Sequence, residues 1–263
     1  MTAKPPLRLI HHLARSGGTI LCKCLGSMSD VVLLSEVNPA AVAAGVPLEP
    51  LFQAAFWFRL FKLRDVEAMA RAGMSFVDRI AVIAERCAAR GDILVLRDWT
   101  FVDFLGKPYV DQPSYRLGLA ECLRDRFELR QVATVRHPLD QWLSWQNFRR
   151  EHHWQHPFTF DEFIRACRRF AEQAVAMRWY RYEDFAVDRD RVLTAICGDL
   201  QIPFDPRYAS LWPLYHTITG DVQGARGQKS IEPPPRREKG APVPVDLDRH
   251  EDYQATLRLL GYT

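Results

Sequence analysis

The stretch Leu7-Arg-Leu-Ile-His-His-Leu-Ala-Arg15-Ser-Gly-Gly-Thr19 decides the fold. Leu7–Leu13 is a short apolar run that predicts a strand. Gly17 and Gly18 end it, and Thr19–Met28 has the composition of a helix. A strand, a glycine turn and a helix in immediate succession open a βαβ unit, and such a unit needs a parallel neighbour strand.

Working outward, Val31–Ser35 is a second apolar run rich in β-branched residues. Asp65–Arg90 has helical spacing and stops at Gly91. Ile93–Leu96 predicts a third strand, Ser114–Phe127 a helix and Gln131–Val135 a fourth strand. Pro138 suits the first turn of the next helix. Thr159 with Glu162 three residues on has the form of a capping box before a helix running to Val175. Ala176–Tyr180 follows as a fifth strand, and Arg189–Leu200 and Glu251–Leu260 close the chain as helices. Strands alternating with helices predict an α/β fold of three layers, α/β/α, around a central parallel sheet. The expectation is one domain over 1–263, with an insertion at 37–64 and a glycine-rich basic loop near 217–240.

The composition fits a globular protein: 263 residues, 48% hydrophobic and 25% charged, with a net charge of +3. That charge is too small to call for nucleic acid or a membrane surface as partner. No apolar run reaches spanning length, since Leu51–Leu63 is interrupted by Gln53, Arg59 and Lys62. The start shows no secretory signal, and the six cysteines lack metal-ligand spacing. A cytoplasmic chain with reduced thiols is expected. His152, His153 and His156 lack the carboxylate or cysteine companions of a zinc site, so no metal is expected. The oligomeric state is not legible.

In parallel sheets, ligands bind beyond the carboxyl ends of the strands. Here those positions are polar: Ala14–Thr19, Glu36, Arg97–Asp98, Arg136–His137 and Arg181–Asp184. In the first loop, two glycines let backbone N–H groups turn toward an anion at a helix N-terminus. Arg15 adds a charge, and Ser16 and Thr19 add hydroxyls. The loop lacks the Gly-Lys-Ser/Thr ending of a Walker sequence, which disfavours a magnesium-dependent triphosphatase. Arg136 stands at the end of the fourth strand, with Ser144 about two helical turns into the next helix, so both are able to face one phosphate.

Arg15-Ser-Gly-Gly-Thr19 resembles the 5′-phosphosulfate loop of the sulfotransferases, usually Pro-Lys/Arg-Ser-Gly-Thr-Thr. Arg136-His-Pro with Ser144 resembles their 3′-phosphate element, usually Arg-Asp-Pro with a serine at the same spacing. Arg181-Tyr-Glu-Asp-Phe185 is similar to their Tyr-Glu-Asp-Leu element. The three occur in the family's order and cover most of Leu7–Pro203. The resemblance implies a nucleoside-kinase-like, P-loop-like core and transfer of a sulfuryl group from 3′-phosphoadenosine 5′-phosphosulfate (PAPS), without a metal. The product nucleotide would be adenosine 3′,5′-bisphosphate. By the same resemblance Arg15 contacts the transferring group, Gly17, Gly18 and Thr19 bind the 5′-phosphate, and Arg136 and Ser144 bind the 3′-phosphate. Tyr182 lies near the adenine, and Arg226 and Lys229 of the late loop are phosphate contacts. Ala14, Gly18 and His137 depart from the usual proline, threonine and aspartate. Ile20 stands where cytosolic members often stack a tryptophan.

An acceptor hydroxyl or amine needs a base. The candidates are Glu36, Asp98 (where cytosolic relatives place a histidine, though it equally suits an ion pair with Arg97) and His12. Glu36 ranks first. The aromatic stretch Phe52–Phe61 is a candidate acceptor wall, and Arg149, Arg150, Arg168 and Arg169 suggest an anionic acceptor, whose identity is not legible. The rivals are a nucleotide kinase on a related fold and a nucleotide-binding module without turnover.

Overall fold

A computed structural model describes residues 3–153, 155–221, 231 and 246–262. Its five strands are β1 (Pro6–His11), β2 (Val31–Val37), β3 (Ile93–Asp98), β4 (Glu128–Val135) and β5 (Arg178–Arg181). They form one sheet in the order β2-β3-β1-β4-β5, and every neighbouring pair is parallel. The helices are α1 (Gly18–Gly26), α2 (Pro39–Ala43), α3 (Pro50–Phe56), α4 (Leu63–Arg71), α5 (Phe76–Arg90), α6 (Thr100–Phe104) and α7 (Gly118–Leu123). After these come α8 (Pro138–Glu151), α9 (Phe160–Ala174), α10 (Tyr182–Val187), α11 (Arg189–Leu200), α12 (Tyr208–Leu211) and α13 (Glu251–Leu260).

Strand side chains alternate between two separate cores. Leu7, Leu9, Val32, Leu34, Leu94, Leu96, Ala133 and Val135 face one core, with residues of α3, α5, α8 and α9. Ile10, Val31, Leu33, Val95 and Val132 face the other, with residues of α1, α10 and α11. Both faces are therefore covered, which is why Val31–Leu34 and Ile93–Leu96 read as continuous apolar runs. The result is the expected three-layer α/β/α arrangement with an all-parallel sheet.

Local structure departs from expectation in three places. The helix expected over Asp65–Arg90 is two helices. Gly73 takes a φ of 66°, and the Ser75 hydroxyl accepts from Asp78 N at 3.2 Å to start α5 afresh. The helix expected over Ser114–Phe127 shrinks to Gly118–Leu123. Tyr115 N is taken by the Asp103 carbonyl at 3.0 Å and Gly118 N by the Asp103 carboxylate at 3.3 Å, so the chain before Gly118 is bound to α6. The region between β2 and α4 forms two short proline-started helices, α2 and α3. Elsewhere the signals hold: Thr159 and Glu162 form the full capping box, and Gly91 caps α5 at a φ of 78°.

The described cysteines are free, and all but Cys122 are buried. Burial raises the thiols, Cys22 to about 11 and Cys87 to about 12. Among the described residues no helix is long and apolar enough to cross a membrane.

Candidate active site

The connection from β1 leads to one side of the sheet and the connection from β4 to the other. The crevice between these adjacent strands is thus the topological switch point where ligands of such sheets bind. A cavity of about 410 Å³ opens there, within the range of roughly 300–1,000 Å³ usual for small-molecule sites.

Its polar half is lined by Ala14, Arg15, Gly17, Gly18, Thr19, Ile20, Arg136, Ser144 and Tyr182. Arg15 adopts a φ of 71° and Gly17 one of 86°, which turns the loop into the N-terminus of α1. The Tyr182 ring lies against Gly17, where an added Cβ would sit 2.1 Å from the ring. Arg136 stacks over the same ring, its guanidinium 5.0 Å from the Tyr182 centroid, and its Nη1 donates to the Arg15 carbonyl at 3.3 Å. Arg136 Nε is buried with no partner among the described residues. Arg15 Nε donates to the Ser144 hydroxyl at 3.1 Å, and its guanidinium lies 5.1 Å from the Phe148 centroid. Ser16 is buried and turned inward, its hydroxyl donating to the Leu13 carbonyl at 2.8 Å, and it does not line the cavity.

The floor is built on the sheet face that α1 covers. His12, Ser35 and Arg97 come from the ends of three adjacent strands. Arg97 Nε donates to His12 Nε2 at 3.0 Å, and Nη1 to the Ser35 hydroxyl at 2.9 Å and the Thr219 carbonyl at 3.0 Å. Nη2 donates to the Thr19 hydroxyl at 3.1 Å. Because arginine only donates, His12 Nε2 must carry its lone pair. Burial, then the Arg97 charge, then His11 hold this imidazole well below its ordinary range. His12 therefore lines the cavity as a neutral ring whose lone pair is already engaged, a poor base.

Glu36 lines the same cavity. The register of β2 slips between Leu34 and Val37, and Glu36 takes a φ of 55°. Such bulges re-aim a side chain at a strand end. Its carboxylate is partly buried, stands 3.7 Å from Arg97 Nη2 and makes no hydrogen bond among the described residues. Asp98, the other carboxylate considered, points to the opposite sheet face. It is buried against His11 Nδ1 at 2.6 Å, it does not line the cavity, and its partner is His11 rather than Arg97. Burial raises its pKa, opposed by the His11 contact.

The remaining wall is aromatic: Trp99 and Phe101 at and after the end of β3, Tyr109, and Trp145 and Phe148 of α8. Trp99 and Tyr109 lie 4.8 Å apart, and Phe101 and Trp145 5.6 Å. Sequence reasoning placed the aromatic wall in the insertion. Yet no residue of 37–64 lines the cavity, and Phe52 and Phe56 stack on each other in the open. The four arginines are also elsewhere. Arg168 and Arg169 pair with Glu172, Arg168 also with Asp252, and none lines the cavity. Gly220 of the late loop does reach the cavity, while Arg226 and Lys229 lie outside the described residues. Among the described residues, no group of three or more histidine, cysteine or acidic side chains is placed to hold a metal.

No family model matches the chain, and no curated protein matches it in sequence. Solved structures do. The sulfotransferase domain of the Synechococcus PCC 7002 olefin synthase is similar with a TM-score of 0.75 at 17% identity, over 100% of this chain and 97% of that one. The sulfotransferase domain from the curacin biosynthetic pathway is similar with a TM-score of 0.67 at 17% identity, over 100% and 99%. At such identities the likeness is one of architecture, and along its whole length this chain has the α/β fold of those sulfotransferase domains.

Proposed function

We propose that the chain moves a sulfuryl group from PAPS to a hydroxyl of an uncharged, largely apolar acceptor. The observation that carries this is convergence. The glycine loop, Arg15, Arg136, Ser144 and Tyr182 line the same cavity as the Glu36 carboxylate and an aromatic wall. The buried Arg136 Nε, unpartnered among the described residues, suits the 3′-phosphate, since a buried donor left unmatched is costly. Backbone N–H groups at the start of α1 suit the 5′-phosphate.

In this mechanism Glu36 takes the acceptor proton as the acceptor oxygen attacks sulfur. The bond from sulfur to the bridging oxygen breaks, and its electrons leave on adenosine 3′,5′-bisphosphate. Arg15 stabilises the charge that grows on that oxygen, a task in which prearranged donors matter most. The acceptor's body rests on Trp99, Phe101, Tyr109 and Trp145. With no arginine or lysine among the described residues of that wall and Glu36 beside it, an uncharged acceptor is favoured.

Calorimetry with adenosine 3′,5′-bisphosphate, 5′-AMP and ATP with magnesium tests the donor side. Transfer from PAPS to neutral phenols and long-chain alcohols, against sugars and acidic peptides, tests the acceptor side. Strong preference for the bisphosphate and turnover of the apolar hydroxyls are expected. Equal affinity for all nucleotides would remove the donor assignment, and turnover of the acidic peptides alone would remove the acceptor assignment.

A further inference from the structure

We infer that Arg97 is a positioning residue of the proposed reaction, holding Glu36 and the phosphate loop in one fixed relation. The inference rests on the function just proposed and assigns a role to a residue that resemblance left without one. The Arg97 side chain is 6% exposed. Its planar fork donates to Thr19 at the nucleotide end, to His12 beneath Gly18, and to Ser35 and the Thr219 carbonyl next to Gly220. One guanidinium thus links the phosphate loop, the strand that delivers Glu36, and the late segment at the cavity rim.

Its partners satisfy hydrogen bonds but not charge. The only carboxylate near it among the described residues is Glu36, at 3.7 Å, beyond hydrogen-bond reach. Arginine–carboxylate distances elsewhere run from 2.6 Å at Arg168–Asp252 to 3.9 Å at Arg178–Asp199, but those arginine side chains are 31% and 80% exposed, against 6% for Arg97. Arg97 instead steers Glu36 while leaving both carboxylate oxygens open to an acceptor. A rigid fork transmits position between its partners, which a lysine ammonium does not.

The test is a double-mutant cycle. Arg97→Lys and Ser35→Ala are each made with Glu36 and with Glu36→Gln. Each is measured for kcat at saturating substrates, bisphosphate affinity and unfolding midpoint. With Glu36 present, Arg97→Lys is expected to lower kcat about 10²-fold, as for a small misplacement of reacting groups. Bisphosphate affinity should change less than about tenfold, since Arg15 and Arg136 remain. In the Glu36→Gln background the same change should cost less than about threefold, because the group being positioned is gone. Ser35→Ala removes one anchor of the fork without removing its charge. It should follow the same pattern on a smaller scale, and it decides the matter should Arg97→Lys fail to fold. Equal losses in both backgrounds, or unchanged kcat in folded variants, overturns the inference. Full turnover by Glu36→Gln overturns both the base and this role, whereas a wild-type chain that neither binds the bisphosphate nor transfers sulfate refutes the proposed function itself.

Discussion

Gly18 is a position where the glycine loop departs from the resembled pattern, which carries threonine there. An added Cβ would stand 2.2 Å from His12 Cδ2 and 2.3 Å from Nε2. Carbon atoms settle at about 3.5–4.0 Å, so more than 1 Å must be opened. Neither side gives way easily. His12 is buried and held by Arg97 at 3.0 Å, and Gly18, Thr19, Leu21 and Cys22 of α1 are buried as well. Gly18→Ala should therefore destabilise by about 1–3 kcal/mol through overpacking, less up to ~1 kcal/mol returned by the better helix former. His12→Ala alone should cost about 2–4 kcal/mol, through the lost ring and the orphaned Arg97 donor. In the double variant the new methyl enters space that the ring has left, so the overlap disappears and the losses should fall short of their sum by about 1–3 kcal/mol. Urea unfolding followed by tryptophan fluorescence measures all four corners of the cycle. Additivity within about 0.5 kcal/mol would show that His12 does not exclude a side chain at position 18.

Arg136→Ala should remove about 1.5–3 kcal/mol of preference for adenosine 3′,5′-bisphosphate over 5′-AMP, read by calorimetry. Arg15→Ala should lower kcat about 10²-fold while weakening bisphosphate binding far less, since its contact matters most as charge develops on the leaving oxygen. Glu36→Gly should be more stable than Glu36→Ala by about 1 kcal/mol in denaturant titration: both remove the carboxylate, and only glycine accepts the φ of 55° without strain. Asp103 supplies a pH dependence. Burial, then the nearby Asp98, raises its pKa to about 7 from 3.8, so the folded state binds the extra proton between those values. Asp103's own contribution to stability is then greatest at acid pH and falls as pH rises from about 4 to about 7. Asp103→Asn should flatten that slope in melts at pH 5.5 and 8, keeping acceptors for Asn38 and Gly118, and an unchanged slope would place the titrating group elsewhere.

The layered fold was legible because Val31–Leu34 and Ile93–Leu96 are apolar runs closely followed by a charged residue, and α5 and α13 stop at Gly91 and Gly261. What escaped was set by contacts distant in sequence. The break before Ser75 is written locally in Gly73 and Ser75, but the apolar spacing on either side masks it. The shortening of α7 comes from Asp103, which lies on another helix and captures backbone donors there. The densest aromatic stretch of the sequence, Phe52–Phe61, does not form the cavity's aromatic wall. Phe52 and Phe56 face outward, whereas Trp99, Phe101, Trp145 and Phe148 are spread over two segments that meet only in the folded chain.

Strand parity decides that Arg97 rather than Asp98 reaches the cavity. In β3, Val95 faces the core beneath α1, so Arg97, two residues on, shares that face and reaches the phosphate loop. Leu94 and Leu96 face the other core, and Asp98 follows them there to meet His11. The same rule divides β1: Ile10 and His12 go with Arg97, while Leu9 and His11 go with Asp98. A sequence apolar on both faces hides this parity, because Ile93-Leu-Val-Leu96 offers no alternation to read. It becomes readable once Thr19 is known to sit on the α1 side, for any strand-end residue that touches Thr19 must share the parity of Val95. Glu36 breaks the rule, and the break is informative. Counted from Val32 and Leu34 it belongs to the face of Asp98, and it is the slipped register with the left-handed φ that brings it to the cavity. A backbone held in a costly conformation that delivers one carboxylate to the cavity shared with the glycine loop, Arg15 and Arg136 is the structural argument behind the proposal of Glu36 as the base.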